Sequence, residues 1–205
     1  MKFPQDFWNE RYKEKEYIYG LNPNDFLAQN IRHLKPAGKV LCLAEGEGRN
    51  VVYLAKLGFE VEAVDFSLEA QKKALELAKK NGVLIKYEVA DLNEFDFGKN
   101  YFDAIISISA HTNSALRKKI FSQAKTALKE GGIFLLEGYN KSQINRNTGG
   151  PKDVDMLFAK DELEENFKDF EILHCVEVVR NVEEGSYHSG EADVVGFVAR
   201  KISNL

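Results

Sequence analysis

A chain of 205 residues is long enough to bury one sizeable core, and it falls within the usual span of a single domain. Its composition, 44% hydrophobic and 29% charged with 4 Pro and 15 Gly, excludes a disordered or fibrous protein. A formal net charge of −4 gives no broad electropositive surface, so nucleic acid and membrane are not expected as partners and a small-molecule substrate is.

The opening stretch, residues 1–17, is charged and aromatic and lacks the apolar centre of a secretory signal. No run approaches the roughly 18 apolar residues of a spanning helix, and a cytoplasmic location is expected. Asn22-Pro23-Asn24-Asp25 reads as a helix start with Asn22 as cap and Pro23 in first position. Phe26, Leu27, Ile31 and Leu34 then supply an apolar stripe that ends at Pro36 and Gly38. Val40 to Ala44 is a short apolar strand leading into Glu45-Gly46-Glu47-Gly48-Arg49-Asn50, and Val51, Val52, Leu54, Ala55 and Leu57 fit a buried helix closed by Gly58. Val61 to Val64 repeats the theme, ending in Asp65, with Ser67 as cap for a helix through Ala70, Ala74, Leu77 and Ala78.

Leu84 to Val89 is expected as a third strand ending at Asp91, Phe102 to Ile108 as a fourth, Ala115 to Leu128 as a helix and Ile133 to Leu136 as a fifth strand after a break at Gly131-Gly132. Five repeats of strand and helix imply a doubly wound α/β fold with a mostly parallel sheet covered on both faces. Asn140 to Phe158 has no regular period and follows the fifth strand, where it reads as a substrate-side loop. Ile172 to Val179 and Ala192 to Ala199 read as an antiparallel hairpin. Cys42 and Cys175 lie in apolar strand-like runs and are expected as buried thiols. The histidines at 33, 111, 174 and 188 lack metal-ligand spacing, so no metal is expected.

In such a sheet a ligand sits outside the carboxyl ends of the strands, near the point where strand order reverses. Gly46 and Gly48 permit close backbone approach, and the helix that follows is expected to offer unpaired N–H donors. Asp65 stands about 20 residues beyond the glycine turn, the spacing at which an acid meets ribose hydroxyls, and Asp91 adds a carboxylate that suits an adenine amino group. An adenosine-containing ligand is the expectation. A dinucleotide turn wants Gly or Ala where Val51 stands, and the Lys-Ser/Thr pair of a phosphate loop is replaced by Arg49-Asn50, which disfavours NAD and ATP.

Val40-Leu41-Cys42-Leu43-Ala44-Glu45-Gly46-Glu47-Gly48-Arg49-Asn50, Val64-Asp65 and Ala90-Asp91-Leu92 together resemble the first three motifs of class I S-adenosylmethionine-dependent methyltransferases. Gly-x-Gly-Arg-Asn and Glu184-Gly185-Ser186-Tyr187-His188 are similar to the bacterial tellurite-resistance branch. Phe7 to Tyr12 and Tyr17 to Gly20 resemble the entry helix and lid of that branch and of thiol methyltransferases. The resemblance implies a seven-stranded Rossmann-like sheet in one domain, 1–205, with an N-terminal cap (1–35), a cofactor-binding core (36–139) and a substrate-side loop and hairpin (140–205). It implies S-adenosyl-L-methionine as cofactor, held by Tyr19, Ala44, Glu45, Gly46, Gly48, Arg49, Asn50, Asp65, Phe66, Ser67, Asp91, Leu92 and Ile108. It implies methyl transfer to a small thiol, chalcogen or metalloid acceptor, with His188 and Arg49 as catalytic groups. Cys42 stands where the family has an acid, Ala44 where it has glycine, and Ser189 where it has an arginine. The residues by themselves leave two other functions open: a non-catalytic S-adenosylmethionine sensor and an NAD-type oxidoreductase. Local alternatives stay open too, with His188 as a hairpin tip, His111 as a helix cap or substrate contact, and Asp91 as a turn former.

Overall fold

The computed structural model describes residues 5–203. Residues 1–4 and 204–205 of the expected domain lie outside the described residues, the first four of them belonging also to the stretch compared above with a secretory signal.

After helix α1 (Gln5–Tyr12) and the short α2 (Asp25–Asn30), the chain alternates strand and helix: β1 (Lys39–Leu43), α3 (Arg49–Lys56), β2 (Glu60–Asp65), α4 (Leu68–Lys80), β3 (Lys86–Val89). Then follow β4 (Phe102–Ile108), α5 (Ser114–Ala127), β5 (Leu128–Tyr139), α6 (Lys160–Asn166), β6 (Phe170–Glu184) and β7 (His188–Lys201). The seven strands lie in the order β3-β2-β1-β4-β5-β7-β6. The first five run parallel, while β7 is antiparallel to β5 and β6 antiparallel to β7. Strand order reverses between β1 and β4, which puts the crevice of a doubly wound sheet at their carboxyl ends. No helix among the described residues is long and apolar enough to cross a membrane.

Apolar residues on both faces of the central strands follow from the two-residue period. Leu41 and Leu43 of β1 join Phe134 and Leu136 of β5 on one face, and Val40 and Cys42 join Ile133 and Leu135 on the other. Helices cover both faces, so β4 is buried throughout and β1 and β2 at all but their first residue, whereas the edge strands β3 and β6 keep exposed positions.

Several expected boundaries shift for physical reasons. Asn24, not Asn22, caps α2: its side chain accepts from Leu27 N, and its own N–H donates to Asn50 Oδ1, so two partners fix the start there. The stripe beyond Asn30 continues as a 3-10 turn, Ile31–His33. Between β3 and β4 the described chain forms turns around Asp91 instead of a helix, so the strict strand-helix repeat fails once. Gly131 and Gly132 sit inside β5, where register shifts against β4 between Phe102 and Ala104. Helix α6 carries one buried apolar residue, Leu163, too little periodicity to read from sequence. The hairpin is longer than its apolar runs, because the polar residues 180–191 stay paired up to Glu184 and His188.

Gly48 is a structural glycine. Its φ is +93°, and a Cβ there would lie 2.7 Å from Ala74 Cβ on α4. Gly48→Ala is expected to lower the melting temperature by roughly 5–15 °C, the effect of about 2–4 kcal/mol of overpacking and left-handed strain. Thermal melts should show part of this recovered when Ala74→Gly is added.

Candidate functional site

The glycine turn leaves β1 with Ala44 in the left-handed region, φ +48°, at the place where glycine is usual. The strain is of order 1 kcal/mol and is held by three hydrogen bonds. Glu45 N–H donates to Val64 O (3.3 Å), Gly46 N–H to Asp65 Oδ2 (2.9 Å), and Tyr87 Oη to Gly46 O (2.7 Å). Ser109, at the end of the neighbouring β4, is also left-handed at φ +54°. The crevice between β1 and β4 is thus bordered by two turned-back backbones.

Asp65 ends β2 and is buried, with Oδ1 accepting from Ser67 N–H at 2.9 Å. The Phe66 N–H is a third backbone donor to this carboxylate. Burial pushes its carboxyl up to about 6. Ser67 caps α4 through Ala70 N–H and donates to Asn9 Oδ1 (2.7 Å), and the carbonyl of Phe66 accepts from Gln5 Nε2, so both hold α1 in place. Asp91 accepts from Asn93 N–H at 2.9 Å and its carbonyl from Glu94 and Phe95, which makes it a turn former whatever else it meets. Leu92 and Ile108 are buried beside these strand ends.

Glu45 corrects one expectation. Its Oε1 accepts from Asn50 N–H (2.9 Å) and Val51 N–H (2.8 Å), so the donors at the start of α3 are occupied by this chain's own carboxylate. Gly48, the formal cap, has no side chain to do this. Burial pushes Glu45 up to about 7, and burial with the neighbouring Glu45 pushes the Cys42 thiol up.

Above the turn lies a roof of aromatic residues. Tyr12 is 5% exposed, and its Oη lies 2.9 Å from where a Cβ on Gly46 would stand. Tyr12 stacks on Trp8 (5.8 Å) and meets Tyr19 edge-on (6.2 Å). Buried Glu47 accepts from Tyr19 N–H (3.3 Å) and pairs with Lys73 of α4. Tyr19 Oη accepts from Arg11 (3.1 Å) while its ring lies 4.7 Å from that of His188. The lid and the hairpin tip meet where Ser186 N–H donates to Ile18 O (3.1 Å); a Cβ on Gly185 would stand 2.1 Å from that carbonyl.

Beside the roof, side chains from four elements form a buried ionic cluster. Arg180 of β6 grips Glu137 of β5 with Nε and Nη2 (3.1 and 2.6 Å), and Arg49 Nη2 meets Glu184 Oε2 at 2.6 Å. The Asn24 amide donates to both carboxylates, each at 2.7 Å. Burial opposes the charge of Glu184, yet His188, Arg49 and Asn24 hold its carboxyl well below the usual carboxylate range. Arg49 and Asn50 are therefore tied to the hairpin and to the segment before α2. His188 is not the hairpin tip: it opens β7 paired with Glu184, its Nδ1 3.7 Å from Glu184 Oε2 and its ring 5.3 Å from that of Tyr139.

His111 neither caps α5, which Asn113 does, nor keeps a free ring nitrogen. Nδ1 bonds Met156 O (3.0 Å) and Nε2 accepts from Tyr139 N–H (3.2 Å), with burial pushing the ring down to about 4. Glu137 and Arg180 escaped the sequence reading. The available signal was Glu137 itself, a charge directly after the apolar run Ile133 to Leu136.

Residues 40–132 match the methyltransferase domain family. The chain is 33% identical over 104 residues to the sarcosine/dimethylglycine N-methyltransferase of Aphanothece halophytica, covering 49% of this chain and 38% of that protein. It is 29% identical over 137 residues to the probable S-adenosyl-L-methionine-dependent methyltransferase TehB of Haemophilus influenzae, covering 66% and 46%. The chain thus spans less than half the length of these curated relatives. The crystal structure of Haemophilus influenzae TehB superposes with a TM-score of 0.73 at 22% identity, over 96% of this chain and 66% of that one. A structure concerned with conversion of a disulfide bond into a thioacetal group during echinomycin biosynthesis gives 0.77 at 20%, over 98% and 94%. These superpositions establish the fold.

Because Glu45 and Asp65 are both raised, folding takes up protons at these groups, and their stabilising contribution is complete below about pH 4 and lost as pH rises through 6 to 7. Glu45→Gln keeps an acceptor for the two N–H groups without the charge. Its stability, followed by urea melts from pH 5 to 8, should fall less than that of the wild type, by on the order of 1–3 kcal/mol. Parallel curves would show that the buried carboxyl is already ionised at pH 5.

Proposed function

We propose, as the premise that this chain belongs to the class I S-adenosylmethionine-dependent methyltransferases allows, that it transfers a methyl group to a small thiol, chalcogen or metalloid acceptor. The observation that carries the reading is the glycine turn at the crevice, with its pinning carboxylate Asp65 at the next strand end, inside the matched segment.

The residues fit the cofactor. A diol needs charge-assisted acceptors, and the Asp65 carboxylate at the end of β2 is the group that would supply them. The left-handed Ala44 and Gly46 bring backbone to the crevice, Leu92 and Ile108 give it apolar sides, and Tyr12 and Tyr19 roof it. When bound, S-adenosylmethionine supplies a methyl group on a sulfonium, which passes to an acceptor in line with the breaking carbon–sulfur bond. What remains for the protein is to orient the acceptor, exclude water and take up a proton. The roof and hairpin exclude water. His188 is the base in this reading, its ring set beside Glu184 with Nδ1 3.7 Å from Oε2. Arg49 orients that carboxylate through its ion pair and acts through it.

Two tests follow from these roles. Asp65→Ala should weaken S-adenosylhomocysteine binding in calorimetry by about 2–4 kcal/mol, with circular dichroism confirming a retained fold; wild-type affinity would sink the ribose assignment. His188→Ala should slow acceptors that keep their proton at neutral pH by roughly 100-fold, spare acceptors already deprotonated, and leave cofactor affinity unchanged. Equal rates for both proteins on every acceptor would remove His188 from the mechanism.

A further inference from the structure

The buried side-chain atoms without a hydrogen-bond partner among the described residues include Tyr139 Oη, Thr112 Oγ1 and His188 Nδ1, the last standing 3.7 Å from Glu184 Oε2. Tyr139 is 3% exposed and ends β5. An unpaired buried hydroxyl costs about 1–3 kcal/mol, a loss usually tolerated where a ligand is to supply the partner. Tyr139 and His188 lie together under one cover. A Cβ on Gly149 would stand 2.8 Å from Tyr139 Oη and 3.0 Å from His188 Cδ2, and one on Gly150 would stand 2.7 Å from Tyr139 Cδ2. The two glycines thus close the loop directly over the pair. The Tyr139 ring is held on its other side by His111, stacked at 5.4 Å and 12°.

Within the Glu137–Glu184 cluster the charges cancel; Arg11, 3.1 Å from Tyr19 Oη, lies outside it over the ring of Tyr187. Arg49 and Arg180 are taken by Glu184 and Glu137, two against two, and the Asn24 amide fills both carboxylates. Ser189 brings no further cation. An oxyanion entering here would meet two guanidinium groups already neutralised, and would have to be desolvated beside two buried carboxylates. An uncharged molecule carries no such penalty against the aromatic rings of Tyr19, Tyr139 and His188.

We propose that Tyr139 and His188 together hold the methyl acceptor, beneath the Gly149-Gly150 loop, and that this acceptor is an uncharged thiol and not an oxyanion. The inference rests on the methyl-transfer reading above. A thiol suits the single base available: its proton, at an ordinary value near about 8.5, is within reach of an imidazole, whereas an alcohol's is not and an amine arrives charged. The S–H proton passes to His188, the new sulfur–methyl bond forms as the cofactor's breaks, and the thioether and S-adenosylhomocysteine leave before the ring returns its proton to solvent. Burial pushes the Tyr139 hydroxyl up, so it stays protonated and donates to the acceptor sulfur as negative charge gathers there.

The test measures S-adenosylhomocysteine formation with benzyl mercaptan, mercaptoacetate and tellurite, in the wild type and in Tyr139→Phe. Benzyl mercaptan should be used with a kcat/KM at least about tenfold above the two anions, and Tyr139→Phe should lower that value about tenfold. The variant's S-adenosylhomocysteine affinity should be unchanged and its melting temperature unchanged or higher, because the hydroxyl it loses has no partner in the folded chain; a structural hydroxyl would lower the melting temperature instead. Turnover of tellurite or mercaptoacetate at or above the rate of benzyl mercaptan, no turnover of benzyl mercaptan, or a Tyr139→Phe variant with wild-type kcat/KM would each overturn the proposal. If S-adenosylhomocysteine binds but benzyl mercaptan is not methylated, only the acceptor assignment fails; if it does not bind, the cofactor reading fails with it.

Discussion

Two carboxylates, Glu137 and Glu184, are buried at the carboxyl edge of this sheet, and the arrangement around them depends on their being met. Left alone, either charge would cost several kcal/mol or be protonated. Arg180 and Arg49 supply the opposite charges and Asn24 supplies both remaining N–H groups. These partners come from β6, from the first turn of α3 and from the cap of α2, so one electrostatic requirement aligns the N-terminal segment, the glycine turn and the hairpin. A network of this kind adds little net stability over an apolar core; its value lies in admitting a single arrangement, since any slip leaves a charge unpaired.

The glycine turn shows a second form of substitution by neighbours. Replacing the usual acid with Cys42 removes a buried charge from the middle of β1, where Cys42 packs with Val40 in the core. Glu45 then brings a carboxylate back from the turn and uses it on the backbone of α3, a helix of eight residues whose cap is a glycine. Ala44 retains the left-handed backbone that glycine would adopt without strain. The geometry of the turn is thus kept while its side-chain chemistry is redistributed.

What was legible in the sequence was whatever local periodicity and turn chemistry decide. The apolar runs of β1, β2, β4 and β5, the Ser67 cap and the position of Asp65 relative to the glycines are local signals, and each stands in the structure where the pattern put it. Much less legible were partners brought together by topology. Nothing near Asn24 in the chain announces Glu137 or Glu184, and Glu45 reads as a turn residue until α3 is seen to need a cap. His111 does not take the local role of helix cap, and its partners, Met156 and Tyr139, are 45 and 28 residues away. The polar residues of the hairpin tip read as loop since their strand pairing is satisfied by backbone and not by an alternating apolar face.

The closeness of Gly185 to Ile18 also bears on how the chain is made. Asn24 and Glu184 are 160 residues apart, and the 17–20 segment rests on the carbonyl-to-amide contact between Ile18 and Ser186. During vectorial synthesis β1 to β5 and their helices can assemble as they emerge and α1 can dock on α4 through Ser67 and Phe66, but Ile18, Tyr19 and Asn24 meet their last partners only after the hairpin has left the ribosome. Until then Tyr19 lacks the ring of His188 beside it, and the carboxylate of Glu137 waits for its arginine. The roof of the crevice is therefore completed only after the strands it covers, although its own residues are translated before them.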